Sequence, residues 1–147
     1  MNLRHGNINQ IFAKNKQSIY TATMSGLYQR NGKSWTKIEP SSAHRSWALI
    51  DCRSVAIDSK NRLWFASPQG VGVLDGKEWT LYEGKDGLPY NDFTKMAAGK
   101  NGDVWFGTKK GAIHFDGKTW EYRQGKRWLP DDNVNDIAVT KDGSAWI

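Results

Sequence analysis

Arg127 and Trp128, followed closely by Asp131 and Asp132, form the stretch of this chain best equipped to hold a polar ring. An exposed indole face packs on the apolar face of a sugar, while guanidinium and carboxylate groups bind its hydroxyls. Tyr90, Asn91, Arg45 and Trp47 occupy comparable stretches earlier in the chain and complete the candidate ligand-binding set. The competing reading of Trp128 is a loop residue packed on adjacent structure, and that of Trp47 is an apolar loop anchor. Catalysis has less to work with. His5, His44 and His114 show no His-Glu or Cys-His spacing suited to a metal. Asp58, Asp75, Asp116 and Asp142 lie in turn-forming stretches, where carboxylates shape the backbone. Cys52 is the single cysteine, so no intrachain disulfide or multi-cysteine metal site forms, and its apolar setting predicts a buried thiol. No catalytic residue, cofactor or metal is expected.

The elements that position these residues follow from an internal repeat. Residues 102–120 (GDVWFGTKKGAIHFDGKTW) recur at 61–79 (NRLWFASPQGVGVLDGKEW) and more loosely at 17–35 (QSIYTATMSGLYQRNGKSW), and residues 143–147 (GSAWI) begin the pattern again. Trp64, Trp105 and Trp146 stand 41 residues apart, and Trp35 precedes Trp79 by 44. A period of this length signals a repeat architecture in which each unit buries its faces against its neighbours.

Within each unit four strands are predicted. Apolar pairs at two-residue spacing (Ile11 and Ala13, Val55 and Ile57, Met96 and Ala98, Ile137 and Val139) mark strand A. Ile8, Cys52, Phe93 and Val134, three residues before the first of each pair, suggest a bulge or bend where that strand starts. A turn containing Asn, Asp or Gly leads to strand B at 19–22, 63–66 and 104–107. Gly26, Gly70 and Gly111 open strand C; Asn31-Gly32, Asp75-Gly76 and Asp116-Gly117 close it with strong hairpin signals. Strand D begins at Trp35, Trp79 and Trp120.

Four antiparallel strands in 41 to 44 residues match one propeller blade, with strand A nearest the axis. The D-to-A connections at 39–51, 83–92 and 123–133 then share one rim with the B-to-C loops. That rim carries the candidate ligand residues. Lys33, Lys77, Lys118, Lys60, Lys100 and Lys141 fall on the opposite rim, as solvated turn lysines. The tryptophans recurring on strands B and D are assigned to blade packing, whereas Trp128 stands outside the repeat in the slot of Gly87.

Composition agrees with a packed β protein: 147 residues, 38% hydrophobic, eight Trp and 15 Gly. A net charge of +6 raises polyanion binding. No nucleic-acid module accompanies it, so no nucleic-acid partner is expected. No apolar run approaches the roughly 20 residues needed to span a bilayer, and residues 1–5 open no signal-peptide pattern.

Gly87-Leu88-Pro89, Asp92-Phe93, then Gly102-Asp103-Val104-Trp105-Phe106-Gly107-Thr108 and Gly111 resemble the two-component regulator propeller repeat. Trp128-Leu129-Pro130 and Asn133-Val134 preserve part of that signature before the fourth unit, and Phe65-Ala66-Ser67 departs from it in the second. The resemblance implies a ligand-sensing domain of a hybrid sensor kinase or related regulator, outside the cytoplasm, responding to carbohydrate breakdown products. It also implies a histidine kinase as output partner.

The expected fold is all-β: a single incomplete propeller over residues 1–147, with four-stranded blades at about 7–38, 51–82 and 92–123 and the first strands of a fourth at 133–147. The remaining blades are expected in a longer parent chain. The expected function is noncatalytic sensing of a small or oligomeric ligand, with an interaction scaffold or a propeller lyase or glycosidase as alternatives.

Overall fold

The recurrent Thr or Ser at the end of strand B shows why each unit folds back on itself. Thr23 and Thr108 donate from Oγ1 to the carbonyls of Gly26 and Gly111 at 2.9 and 2.8 Å, and accept from the Ser25 and Lys110 amides at 3.2 and 3.0 Å. Ser67 plays the same part towards Gly70 and Gln69. A hydroxyl three residues before a glycine thereby closes a tight B-to-C hairpin. Glycine is required there for two reasons. Gly70 has φ +145° and Gly111 φ +135°, and a Cβ on either would meet a strand D carbonyl oxygen, Tyr82 O at 2.2 Å or Arg123 O at 2.4 Å.

The computed structural model describes residues 7–39 and 49–147. Three sheets are simple antiparallel meanders. The first contains β1 (Ile8–Ala13), β2 (Ile19–Thr23), β3 (Gly26–Asn31) and β4 (Ser34–Ile38). The second contains β5 (Ser54–Ile57), β6 (Leu63–Ser67), β7 (Gly70–Asp75) and β8 (Glu78–Tyr82). In the third are β9 (Phe93–Ala98), β10 (Val104–Thr108), β11 (Gly111–Phe115) and β12 (Trp120–Arg123). A short pair, β13 (Ala138–Val139) and β14 (Ala145–Trp146), starts a fourth. β1 adjoins β5, β5 adjoins β9 and β9 adjoins β13, so the first strands line the inside of the arc. This is a β-propeller arrangement of three four-stranded blades and the first strands of another.

Bulges occur at the start of β1 and β9, where the pairing skips Asn9 and Thr94. These two residues occupy one slot of the repeat, and each reaches the next blade: Asn9 Nδ2 donates to the Cys52 carbonyl at 2.7 Å, Thr94 Oγ1 to the Val134 carbonyl at 2.6 Å. The amides of Cys52 and Val134 in turn donate to the Thr23 and Thr108 carbonyls of the preceding blades, both at 3.0 Å. Side chain and backbone together stitch successive blades at the inner rim.

Apolar packing does the rest. Trp64, fully buried, stacks on Tyr82 with ring centroids 6.4 Å apart and meets Phe115 of the next blade at 5.7 Å. On the other face of the second blade, Val55 and Phe65 pack with Ala22 and Leu27 of the first. The fourth unit departs from expectation: Val134 and Ile137 are buried but lie outside β13, because the Val134 amide bonds to Thr108 and Asp136 accepts the Ile137 amide locally. Loop 83–92 also contains one 3-10 turn, Gly84–Asp86, ended by Gly87 at φ +89°.

Candidate functional site

Leu88 and Leu129, the leucines of the two described D-to-A loops, are buried and anchor those loops on the blades. In the second loop the amides of Trp128 and Leu129 both donate to the Gly125 carbonyl, at 2.8 and 3.0 Å. Asp132 Oδ1 accepts the Gly125 amide at 2.6 Å, and Asp131 Oδ1 accepts the Asn133 amide at 2.8 Å. This tight turn pushes Trp128 outward, leaving it 53% exposed. Its ring is not bare. The Arg123 guanidinium carbon lies 4.6 Å from the indole centroid and that of Arg127 5.4 Å, distances at which cation and ring attract.

A second aromatic cluster lies on the other face of the third blade: on β12 Tyr122 is opposite Ile113, in the core shared with the second blade, and Arg123 is opposite Ala112, in the core towards the fourth unit. The Tyr122 ring tilts against Tyr90 with centroids 5.0 Å apart, and its hydroxyl donates to the Lys110 carbonyl. Lys110 Nζ lies 5.0 Å from the Tyr90 centroid. Burial, then the hydrogen bond with Tyr90 and the charges of Tyr90, Asp132 and Asp92, push the Tyr122 phenol up to about 12. Asp92 Oδ1 is buried without a hydrogen-bond partner. The rim of the third blade therefore carries the exposed Lys110, Arg127 and Trp128 and the half-buried Tyr90 and Tyr122, together with Asp92, Asp131 and Asp132.

Of the sequence candidates, Trp128, Arg127 and Asp132 share one loop, and Tyr90 lies in the other cluster, against Tyr122 and Lys110. Asp131 shapes the Trp128 loop. Asn91 is directed elsewhere, its Nδ2 donating to the Pro68 carbonyl at 2.6 Å and joining two rim loops. Arg45 and Trp47 lie outside the described residues. Sequence reasoning missed Arg123, Tyr122 and Lys110. A signal for Arg123 existed: it fills the slot held by Ile38 and Tyr82 in the earlier blades, the same kind of departure that singled out Trp128.

The opposite rim holds a different set. Asp58 is buried; its Oδ2 accepts Trp64 Nε1 at 2.8 Å and Arg62 Nε at 2.7 Å, and its Oδ1 accepts the Lys60 and Arg62 amides at 2.9 Å. Burial resists its ionisation, but these hydrogen bonds and the Arg62 charge prevail and lower its pKa. In the third blade the corresponding slots hold Gly99 and Asp103, so the acid has moved from the slot of Asp58 to that of Arg62. Asp103 lies 3.6 Å from Nε2 of His114, whose Nδ1 is 3.5 Å from Glu121 and whose ring stacks on Trp105 at 4.3 Å. The turn acids behave as expected: Asp116 accepts the Lys118 and Thr119 amides, and Asp142 that of Ser144. Cys52 is fully buried, its thiol pushed up to about 12 by burial and then by Asp51. Among the described residues no group of three or more His, Cys, Asp and Glu is arranged to hold a metal, and no helix is long and apolar enough to cross a membrane.

Residues 87–110 match the family model of the two component regulator propeller. No curated protein sequence matches the chain. Among solved structures, the chain is similar to the extracellular domain of the hybrid two component system BT3049 from B. thetaiotaomicron, with TM-score 0.73 and 19% identity over 95% of this chain and 20% of that one. The extracellular domain of the hybrid two component system BT4673 from the same organism gives 0.73 and 15% over 99% and 19%. A catalytically inactive virginiamycin B lyase from Staphylococcus aureus, with quinupristin, gives 0.72 and 10% over 99% and 50%. The chain thus spans about a fifth of these two extracellular domains. At these identities the likeness establishes the propeller fold.

Proposed function

We propose that the chain, which carries the two-component regulator propeller repeat, is the ligand-binding part of a noncatalytic sensory propeller and takes an oligosaccharide on its loop-bearing rim. The exposed Trp128 ring carries this reading, with Arg123 and Arg127 against it in a loop of the rim that also bears Tyr90 and Lys110. The similarity to extracellular domains of hybrid two component systems supports it and favours a histidine kinase as the output partner, with the protein working outside the cytoplasm. Residues 1–147 then form one incomplete propeller whose ring further blades complete.

Turnover is not part of this reading. Acid–base chemistry needs an acid and a base converging on one reacting atom, whereas in the Trp128 loop Asp131 and Asp132 each accept a backbone amide. The test is calorimetric titration of the 147-residue chain and its Trp128→Ala variant with an oligosaccharide panel, alongside an assay for bond cleavage. Binding by the parent chain, at least tenfold weaker in the variant and without cleavage, is expected. Binding unaffected by Trp128→Ala, or catalytic turnover, would overturn the proposal.

A further inference from the structure

The contacts that join successive blades recur, unfilled, on the forward face of the fourth unit. Asn9 donates from the first blade to the Cys52 carbonyl of the second at 2.7 Å, and Thr94 from the third to the Val134 carbonyl of the fourth at 2.6 Å. Asn135 fills the same slot in the fourth unit; it is exposed, and its Oδ1 accepts Asn133 Nδ2 at 3.2 Å, which leaves its own amide hydrogens for an acceptor. Gln10 Oε1 accepts the Val55 amide of the second blade at 3.1 Å and the Ser54 hydroxyl beside it. Its slot in the fourth unit holds Asp136, also exposed, whose Oδ1 accepts the adjacent Ile137 amide and whose Oδ2 has no partner among the described residues. Trp64 meets Phe106 and Phe115 of the next blade at 6.4 and 5.7 Å, whereas Trp146, in the same slot and register, is 67% exposed. The receiving positions exist on the rear of the first blade. Ile8 holds the slot of Cys52 and Val134, and Ile11 that of Val55; both side chains are exposed, at 47% and 58%. Arg30, in the slot of Phe115, is exposed too; its Nε donates to the Gly32 carbonyl at 2.9 Å, and among the described residues it pairs with no carboxylate.

We infer that the forward face of the fourth unit docks on the rear of the first blade of a second copy of this chain. Asn135 then donates to the Ile8 carbonyl and Asp136 accepts the Ile11 amide, a charge-assisted bond. Trp146 covers Ile11 and lies against the Arg30 guanidinium, a cation and ring that attract. The anionic Asp136 and the cationic Arg30 stand on opposite faces, which favours head-to-tail contact over the pairing of like faces. Each copy carries both halves of the seam. Two copies, each spanning three blades and the first strands of a fourth, occupy eight blade positions, within the four to eight of propellers in general, so a head-to-tail pair closes as a ring with both seams filled. The inference goes beyond the reading of the rim: it says what supplies the further blades, and a monomer that binds oligosaccharide would leave that reading standing.

The experiment is sedimentation velocity of the 147-residue chain over a concentration series reaching about 0.5 mM, compared with a forward-face variant, Asn135→Ala/Trp146→Ala, and a rear-face variant, Ile11→Ser/Arg30→Gln. All four replaced side chains are exposed and none supports the fold of the dissociated chain, so the dilute variants should melt like the dilute parent chain, which separates loss of assembly from loss of fold. The parent chain is expected to pass from monomer to dimer as concentration rises, with nothing larger, and each variant alone to dissociate about tenfold or more readily. An equimolar mixture of the two variants restores one intact seam, Asn135 and Trp146 of one protein against Ile11 and Arg30 of the other, and should associate more than either variant by itself. A parent chain that stays monomeric throughout, growth beyond the dimer, variants that associate like the parent chain, or a mixture that gains nothing would each overturn the inference.

Discussion

A methyl group at Gly70 would meet the Tyr82 carbonyl oxygen at 2.2 Å, on a backbone with φ +145°. Gly70→Ala should therefore cost about 3 kcal/mol or more, combining backbone strain with an overpacking term. Gly76, at φ +60° with nothing within 4 Å of its Cβ position, faces only the left-handed penalty, and Gly76→Ala should cost about 1 kcal/mol. Urea unfolding of the two variants checks the difference, and equal losses would refute the contact. Tyr122 gives a pH prediction. Its folded-state pKa, near 12, exceeds the model-peptide value of about 10, so its contribution to stability is fully present below pH 10 and lost as pH rises towards 12. A phenolate absorbance titration should show late-titrating tyrosine signal that Tyr122→Phe reduces. At this scale the sequence is legible where a residue repeats and opaque where it departs. The glycines declare themselves in three blades, whereas Arg123 and Lys110 become site residues only because folding places rings beside them.

The blade is the unit in which tryptophan burial varies. Trp64 is fully buried against the next blade, Trp105 is half-buried with His114 on its face, and Trp146 is 67% exposed, although all three share a slot. Removal should cost about 4 kcal/mol for Trp64→Ala, clearly less for Trp105→Ala, and close to nothing for Trp146→Ala. Thermal or denaturant unfolding ranks them, and similar losses at all three would show that the slot, not the neighbouring blade, sets the contribution. Strand order and hairpin positions could be read in advance because Asn-Gly and Asp-Gly pairs and alternating apolar residues are local signals. The shortness of β13 and the turn at Gly84–Asp86 could not, since they depend on bonds from Asp136 and within loop 83–92.

Across the whole molecule, burial is greatest in the second and third blades and falls towards both ends. Ile11, 58% exposed, shares a slot with Val55, which is fully buried because the first blade covers it. Ile11→Ser should leave stability within about 0.5 kcal/mol of the parent chain, while Val55→Ser should cost about 2 kcal/mol or more. Amide exchange should be slowest in β6 and β10 and fastest in β1 and β13; uniform protection would mean that the arc opens as one cooperative body. The period revealed this arrangement from sequence alone, yet the composition of the rim depends on which loops the stacking of blades places side by side. The acid that moves from position 58 to position 103 between neighbouring units bears on protein engineering. Blades of this chain are not interchangeable bricks. A chimera that installed residues 95–108 in place of 54–67 would supply Gly99 where Trp64 finds its carboxylate and an acid where Arg62 now stands, so any splice should carry the turn, its indole and their charged companions as one cassette.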